Sequence, residues 1–175
     1  MFFIITFMLI EDFNQTLDTW IKELEKYSFT QLSVKPSPTS WSIGQVYMHL
    51  IGATSYFIKQ MQICASTNDH AEEETSVNAK AMFLNNAFPD AILEGPPSNA
   101  DTPPPVSKEQ LTEGLNHLKD EINKTAALVS KSQYKGKTKH FGLGYFNANE
   151  WMQFAEMHLR HHLRQKKRVD DYIKI

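Results

Sequence analysis

Apolar residues recur at intervals of three and four in four separate stretches of the chain, the period that gives an α-helix one buried face. The first stripe is Ile10, Phe13, Leu17, Trp20, Ile21 and Leu24. The second opens at WSIGQV, where Ser42 suits an N-cap and Gln45, three residues on, completes a capping box. It continues through Ile43, Val46, His49, Leu50, Ala53 and Phe57. Ser107 and Gln110 repeat the capping signature ahead of Leu111, Leu115, Leu118, Ile122 and Val129. Asn147 and Glu150 do the same before a fourth stripe of Trp151, Ala155, His158, His162, Gln165 and Val169. No comparable run alternates with period two, and no Asn-Gly or Asp-Gly pair marks a hairpin. The pattern predicts an all-α fold, a four-helix bundle of helices about 20 residues long.

The connections are uneven. Predicted helices one and two, and three and four, are joined by links short enough for neighbours. Helices two and three are separated by residues 65–106, which hold HAEEETS, a short helix around Val77–Phe88, and the proline-rich GPPSNADTPPPVS. Proline forbids a continuing helix there and favours extended chain. A connection this long reads as a crossover along the bundle that roofs one end, so residues 1–175 are expected to form a single domain.

Composition changes this picture little. The chain has 175 residues, 41% of them hydrophobic and 22% charged, which is ordinary for a globular domain. A net charge of -2 gives no electrostatic reason to expect nucleic acid as a partner. One cysteine, Cys64, excludes an internal disulfide framework, fits a cytoplasmic location, and reads as a small buried apolar residue. The apolar start MFFIITFMLI is ten residues, too short to span a bilayer of about 30 Å, and it lacks the features of a secretory leader. It is expected to lead into the first helix and to cover an apolar groove or a dimer seam. Met1 and Met8 both remain open as the native start.

What does change the picture is the chemistry inside the stripes. His49 occupies a core position of the second helix, and His158 and His162 occupy two successive core positions of the fourth. Residues four apart share a helix face, so His158 and His162 can reach one ion, whereas His161 is rotated away. Unpaired polar rings inside a bundle would cost about 1–3 kcal/mol each. Two readings remove that penalty: hydrogen bonds between core histidines, or a divalent metal taking the imidazole lone pairs in an open three-His site. Asp69, His70 and Glu72–Glu74 lie in a polar connector and read as solvated loop, and His117 reads as surface.

Two blocks carry a family resemblance. SWSIGQVYMHL, followed far downstream by HFGLGYFNANEWMQFAEMHLRHHLRQ, resembles the DinB/YfiT-like superfamily, which contains metalloenzymes and many uncharacterised members. Trp41, Ser42, His49 and Leu50 match the first motif. His140, Leu143, Gly144, Phe146, Glu150, Trp151, His158, His162 and Gln165 match or nearly match the second. Phe141 departs from a frequent proline, and Gln165 stands where some relatives have a further histidine. The resemblance implies a four-helix bundle with a long crossover and a divalent metal, nickel or zinc foremost, held by His49, His158 and His162. It further implies a homodimer acting on a small molecule, either as a metal-dependent hydrolase or as an enzyme using a low-molecular-weight thiol as cosubstrate.

On this reading a metal activates water, lowering its pKa to about 7, or holds a thiol as thiolate. No carboxylate falls in phase with the histidine face: Glu150 has the spacing of a cap and Glu156 lies off the stripe. Tyr47 and Tyr56 are weak candidates for acid–base work. The basic run Arg160, Arg164 and Lys166–Arg168 reads as a solvated face suited to a helix C-terminus, with a grip for an anionic substrate as the alternative. The competing class is a non-enzymatic bundle that binds a metal, a small ligand or a partner subunit.

Overall fold

The computed structural model describes residues 2–89 and 101–173, with side chains from Phe7 onward. In order, the elements are α1 (Phe2–Glu25), the single turn α2 (Phe29–Leu32), α3 (Ile43–Cys64), α4 (Val77–Asn85), α5 (Lys108–Lys131), β1 (Thr138–His140), β2 (Gly144–Phe146) and α6 (Ala148–Ile173). The four long helices coincide with the four stripes. Their starts are set by caps that satisfy otherwise unpaired backbone donors. Ser42 and Gln45 form a reciprocal box at α3. Asn147 and Glu150 do so at α6, at 3.0 and 2.8 Å. At α5 the box is broken: Ser107 accepts from Gln110 N–H, but the Gln110 side chain turns to Val106 N–H instead. The apolar N-terminal segment is helical and continuous with the rest of α1; whether it covers a groove rests largely on side chains 1–6, outside the described residues.

Around the core, α1 lies between α5 and α6, and α3 also lies between α5 and α6. Helices consecutive in the chain, α1 with α3 and α5 with α6, therefore face each other across the core, contrary to the expectation that short links make neighbours. Residue pairs fix the directions. Thr16 meets Glu156 and Tyr27 meets Asp170, so α1 and α6 run parallel. Gln62 meets Thr125 while Gly114 abuts Ile51, so α3 and α5 are parallel too. His49 meets His158 and Cys64 meets Phe146, so α3 and α6 are antiparallel. A parallel α3–α5 pair explains the long connection, which must return from one end of the molecule to the other. Its proline-rich part lies partly outside the described residues. The described end is tied to the start of α3, where Gln45 Nε2 donates to the Thr102 carbonyl at 2.7 Å.

The buried apolar residues form one cluster that includes Phe13, Leu17 and Trp20 of α1, Tyr47 and Leu50 of α3, Leu115 and Ile122 of α5, and Trp151 and Leu159 of α6. Trp20 and Tyr47 meet edge to face at 5.0 Å across the centre. Gly44 shows how tightly α3 is seated: a Cβ there would lie 2.6 Å from the Leu32 carbonyl oxygen and 2.8 Å from Pro105 Cγ. Backbone oxygen and a proline ring yield little, so Gly44→Ala is expected to destabilise the protein by about 1–3 kcal/mol, as overpacking does. Calorimetry would register this as a fall in Tm of several degrees; an unchanged Tm would mean the seat is looser than drawn. Among the described residues no helix is long and apolar enough to cross a membrane.

The expectation of no hairpin is corrected. β1 and β2 pair antiparallel, Thr138 opposite Phe146 and His140 opposite Gly144. Each strand is three residues long, too short to show a period, and the turn at residues 141–143 uses Gly142 at φ 86°, with Gly144 at φ 84° opening β2, in place of an Asn-Gly pair. Gly144 also bridges to Thr75, against whose neighbours a Cβ would collide. The hairpin thereby ties the connector to the start of α6.

Candidate metal centre

Because α3 and α6 are antiparallel neighbours, the core-facing histidines of the two stripes arrive at the same level. His158 Nε2 lies 3.2 Å from His49 Nε2 and 3.1 Å from His162 Nε2. One ring nitrogen from each histidine falls within 4.8 Å of both others, and no carboxylate or thiol joins the group among the described residues. The rings are partly buried, so the centre is sheltered but not sealed.

Hydrogen bonding alone satisfies this arrangement poorly. An imidazole nitrogen carries at most one proton, so His158 Nε2 can donate to one of its two neighbours and not both. His158 Nδ1 is buried and has no hydrogen-bond partner, and a cation at Nε2 would leave that unchanged. A shared cation resolves the crowding, since three lone pairs can converge on it. Tetrahedral zinc–imidazole bonds of about 2.0–2.1 Å would place ligand nitrogens about 3.3 Å apart, close to the spacing here. The electrostatics agree. Burial lowers the His49 pKa to about 4. Burial, with repulsion from His49, lowers that of His162 to about 3 against a raising hydrogen bond from Gln165. Burial also holds His158 well below its ordinary value. All three rings are therefore neutral at pH 7, as metal ligation requires.

Those shifts have a stability consequence for the metal-free protein. The unfolded chain binds protons on these histidines near pH 6.5, the folded chain only at lower pH, so the unfolded state holds more protons in between. The stabilisation is complete above pH 6.5 and is lost as the pH falls toward 4, by on the order of 3 kcal/mol for His49 alone. Urea unfolding of metal-free protein at pH 7, 6 and 5 should show the midpoint dropping through this window. A flat midpoint would contradict neutral, buried rings.

Aromatic side chains enclose the centre. Trp41 lies 5.0 Å from His49, Phe57 meets His158 edge on at 5.5 Å, and Phe88 lies 6.3 Å from His158 and 5.3 Å from His161. Phe88 is carried there by the segment after α4, which is clamped to α6. Gln153 Nε2 donates to the Phe83 carbonyl and Asn86 Oδ1, and Arg160 donates to the Asn86 carbonyl at 2.9 Å. Asn86 sits at φ 47°, in the left-handed region asparagine tolerates at a helix end. Neither this wall nor its clamp was readable from periodicity.

His140 stays outside the group of three, packed against Phe146, Trp151 and Phe154, and its Nδ1 too is buried without a partner. Tyr47 donates to the Trp20 carbonyl and is fully buried, which removes it from acid–base work at the site. Glu156 is buried, accepting from Thr16 and Arg160. The basic run is corrected in part: Lys166 is buried between Glu23 and Asp170, at 2.7 and 2.6 Å, and is not on a solvated face. Cys64 is buried as expected, its thiol donating to the Phe146 carbonyl, and His117 is exposed.

The sequence profile of the DinB superfamily matches residues 12–165, a span that contains all three histidines of the centre. The chain belongs to the DinB superfamily. No curated protein and no solved structure matches it.

Proposed function

We propose that the chain is a divalent-metal-dependent enzyme, with His49, His158 and His162 as the ligands and a small molecule as substrate. The observation that carries this is the convergence of three neutral imidazole nitrogens, two of the separations being 3.1 and 3.2 Å, from two helices onto one point. Membership of the DinB superfamily supports it. A bound divalent ion would supply Lewis acidity toward a carbonyl oxygen, a water or a thiol sulfur. The chain's own residues supply the rest. The three histidines orient the open side of the centre, while Phe57 and Phe88 shield His158 from water. With ligands that are all neutral, a bound ion would keep its full positive charge, which favours an anionic partner such as a thiolate; nickel or zinc, which imidazole donors suit, is the ion the family resemblance points to.

In this reading the chain folds as a single-domain four-helix bundle and works in the cytoplasm as a homodimer, hydrolysing a small substrate or transferring a low-molecular-weight thiol. The test is turnover of a nitrophenyl ester, and of a small electrophile in the presence of a low-molecular-weight thiol, by nickel- and zinc-loaded protein. Activity present in the wild type and absent after chelation and in His49→Ala supports the enzyme. Stoichiometric metal with no turnover of either substrate class would leave a metal-binding protein.

A further inference from the structure

Gln165 lies one turn beyond His162 on α6, and its Oε1 is 2.7 Å from His162 Nδ1. An amide oxygen only accepts, so His162 carries its proton on Nδ1 and presents a bare lone pair at Nε2. That lone pair faces His158 Nε2 at 3.1 Å. In the metal-free protein the matching donor is then the Nε2–H of His158, which leaves His158 Nδ1 as a bare nitrogen. This agrees with Nδ1 being buried without any partner, since an unpaired acceptor costs less than an unpaired N–H.

We infer that Gln165 is the positioning residue of the centre: it fixes His162 as the Nδ1–H tautomer and thereby sets the direction of the hydrogen bond from His158. The inference rests on the proposed metal site for its purpose but not for its geometry. Its consequence is an asymmetry between two ligands on the same helix. His162 is held ready for a metal by Gln165, whereas His158 must move its proton from Nε2 to Nδ1 when Nε2 is taken, one N–H bond breaking and one forming through exchange with solvent. His158 then holds a donor that finds no acceptor among the described residues. A hydrogen-bonded outer partner of this kind contributes roughly 10–100-fold to metal affinity.

The test uses nitrogen-15 spectra of the histidine rings, with and without zinc, in the wild type, Gln165→Leu and Gln165→Glu. The metal-free wild type should show His162 protonated at Nδ1 and His158 at Nε2, and zinc should shift the proton of His158 while leaving that of His162 in place. Gln165→Leu should lose the His162 preference and bind zinc about 10–100-fold more weakly, and Gln165→Glu, which keeps an acceptor, should restore both. Finding His162 protonated at Nε2 in the wild type would overturn the inference, as would a Gln165→Leu protein with unchanged tautomers and zinc affinity. If the tautomers behave as stated but the wild type takes up no zinc, the positioning stands and the metal reading falls.

Discussion

His158→Ala is expected to cut zinc affinity by at least about 100-fold while leaving the helical circular dichroism unchanged. The estimate follows from sharing the roughly 10–16 kcal/mol of a four-ligand zinc site among its ligands, about 3 kcal/mol each. His158 is the central member, its Nε2 within 3.2 Å of both other ligand nitrogens, so its loss leaves His49 and His162 without their shared neighbour. His161→Ala is the control. It sits beside His162 in sequence but packs on Phe88 and contacts Arg164, outside the group of three. Calorimetric titration should show binding abolished in the first variant and retained in the second. Equal affinities would remove His158 from the site.

Lys166→Met should have the opposite profile: a loss of about 3 kcal/mol in stability with zinc binding retained. Lys166 is 5% exposed, bridges Glu23 of α1 to Asp170 of its own helix, and lies 5.3 Å from the centre of the Tyr27 ring. Removing one member of a buried ionic group leaves the others uncompensated, at a cost of about 3–5 kcal/mol. The low end applies because Glu23 retains Lys26 and Asp170 retains the Tyr27 hydroxyl. Lys167→Met, which breaks an exposed pair with Asp171, should change stability by less than about 0.5 kcal/mol. Denaturant unfolding of both proteins checks the contrast, and a Lys166→Met loss no larger than that of Lys167→Met would contradict it.

His158 and Lys166 lie on two adjacent buried faces of one helix, toward α3 and α1 respectively, and that division marks where sequence reasoning reached and where it stopped. The stripe through Trp151, Ala155, His158, His162 and Val169 was legible because it faces α3 with strict spacing of three and four. The second buried face of α6, toward α1, holds Glu156 and Lys166. Charged residues there look like solvent positions until their partners on a distant helix are known. Capping chemistry at Ser42 and Asn147 was equally legible, since both partners lie within one turn. The arrangement of α1 and α3 across the core from each other was not, because link length bounds the distance between helix ends without choosing a neighbour. The hairpin escaped for want of length. Phe88 escaped because a clamp made by Gln153 and Arg160, far along the chain, determines where it lies.

The central claim is that one divalent ion is held by three histidines from two helices. X-ray absorption at the zinc edge, on protein loaded stoichiometrically, addresses it most directly. The expected spectrum has three imidazole nitrogens at about 2.0–2.1 Å, with the outer-ring scattering that marks histidine, and loses that pattern in His49→Ala. A first shell of oxygens alone, or one containing sulfur from Cys64, would contradict the assignment.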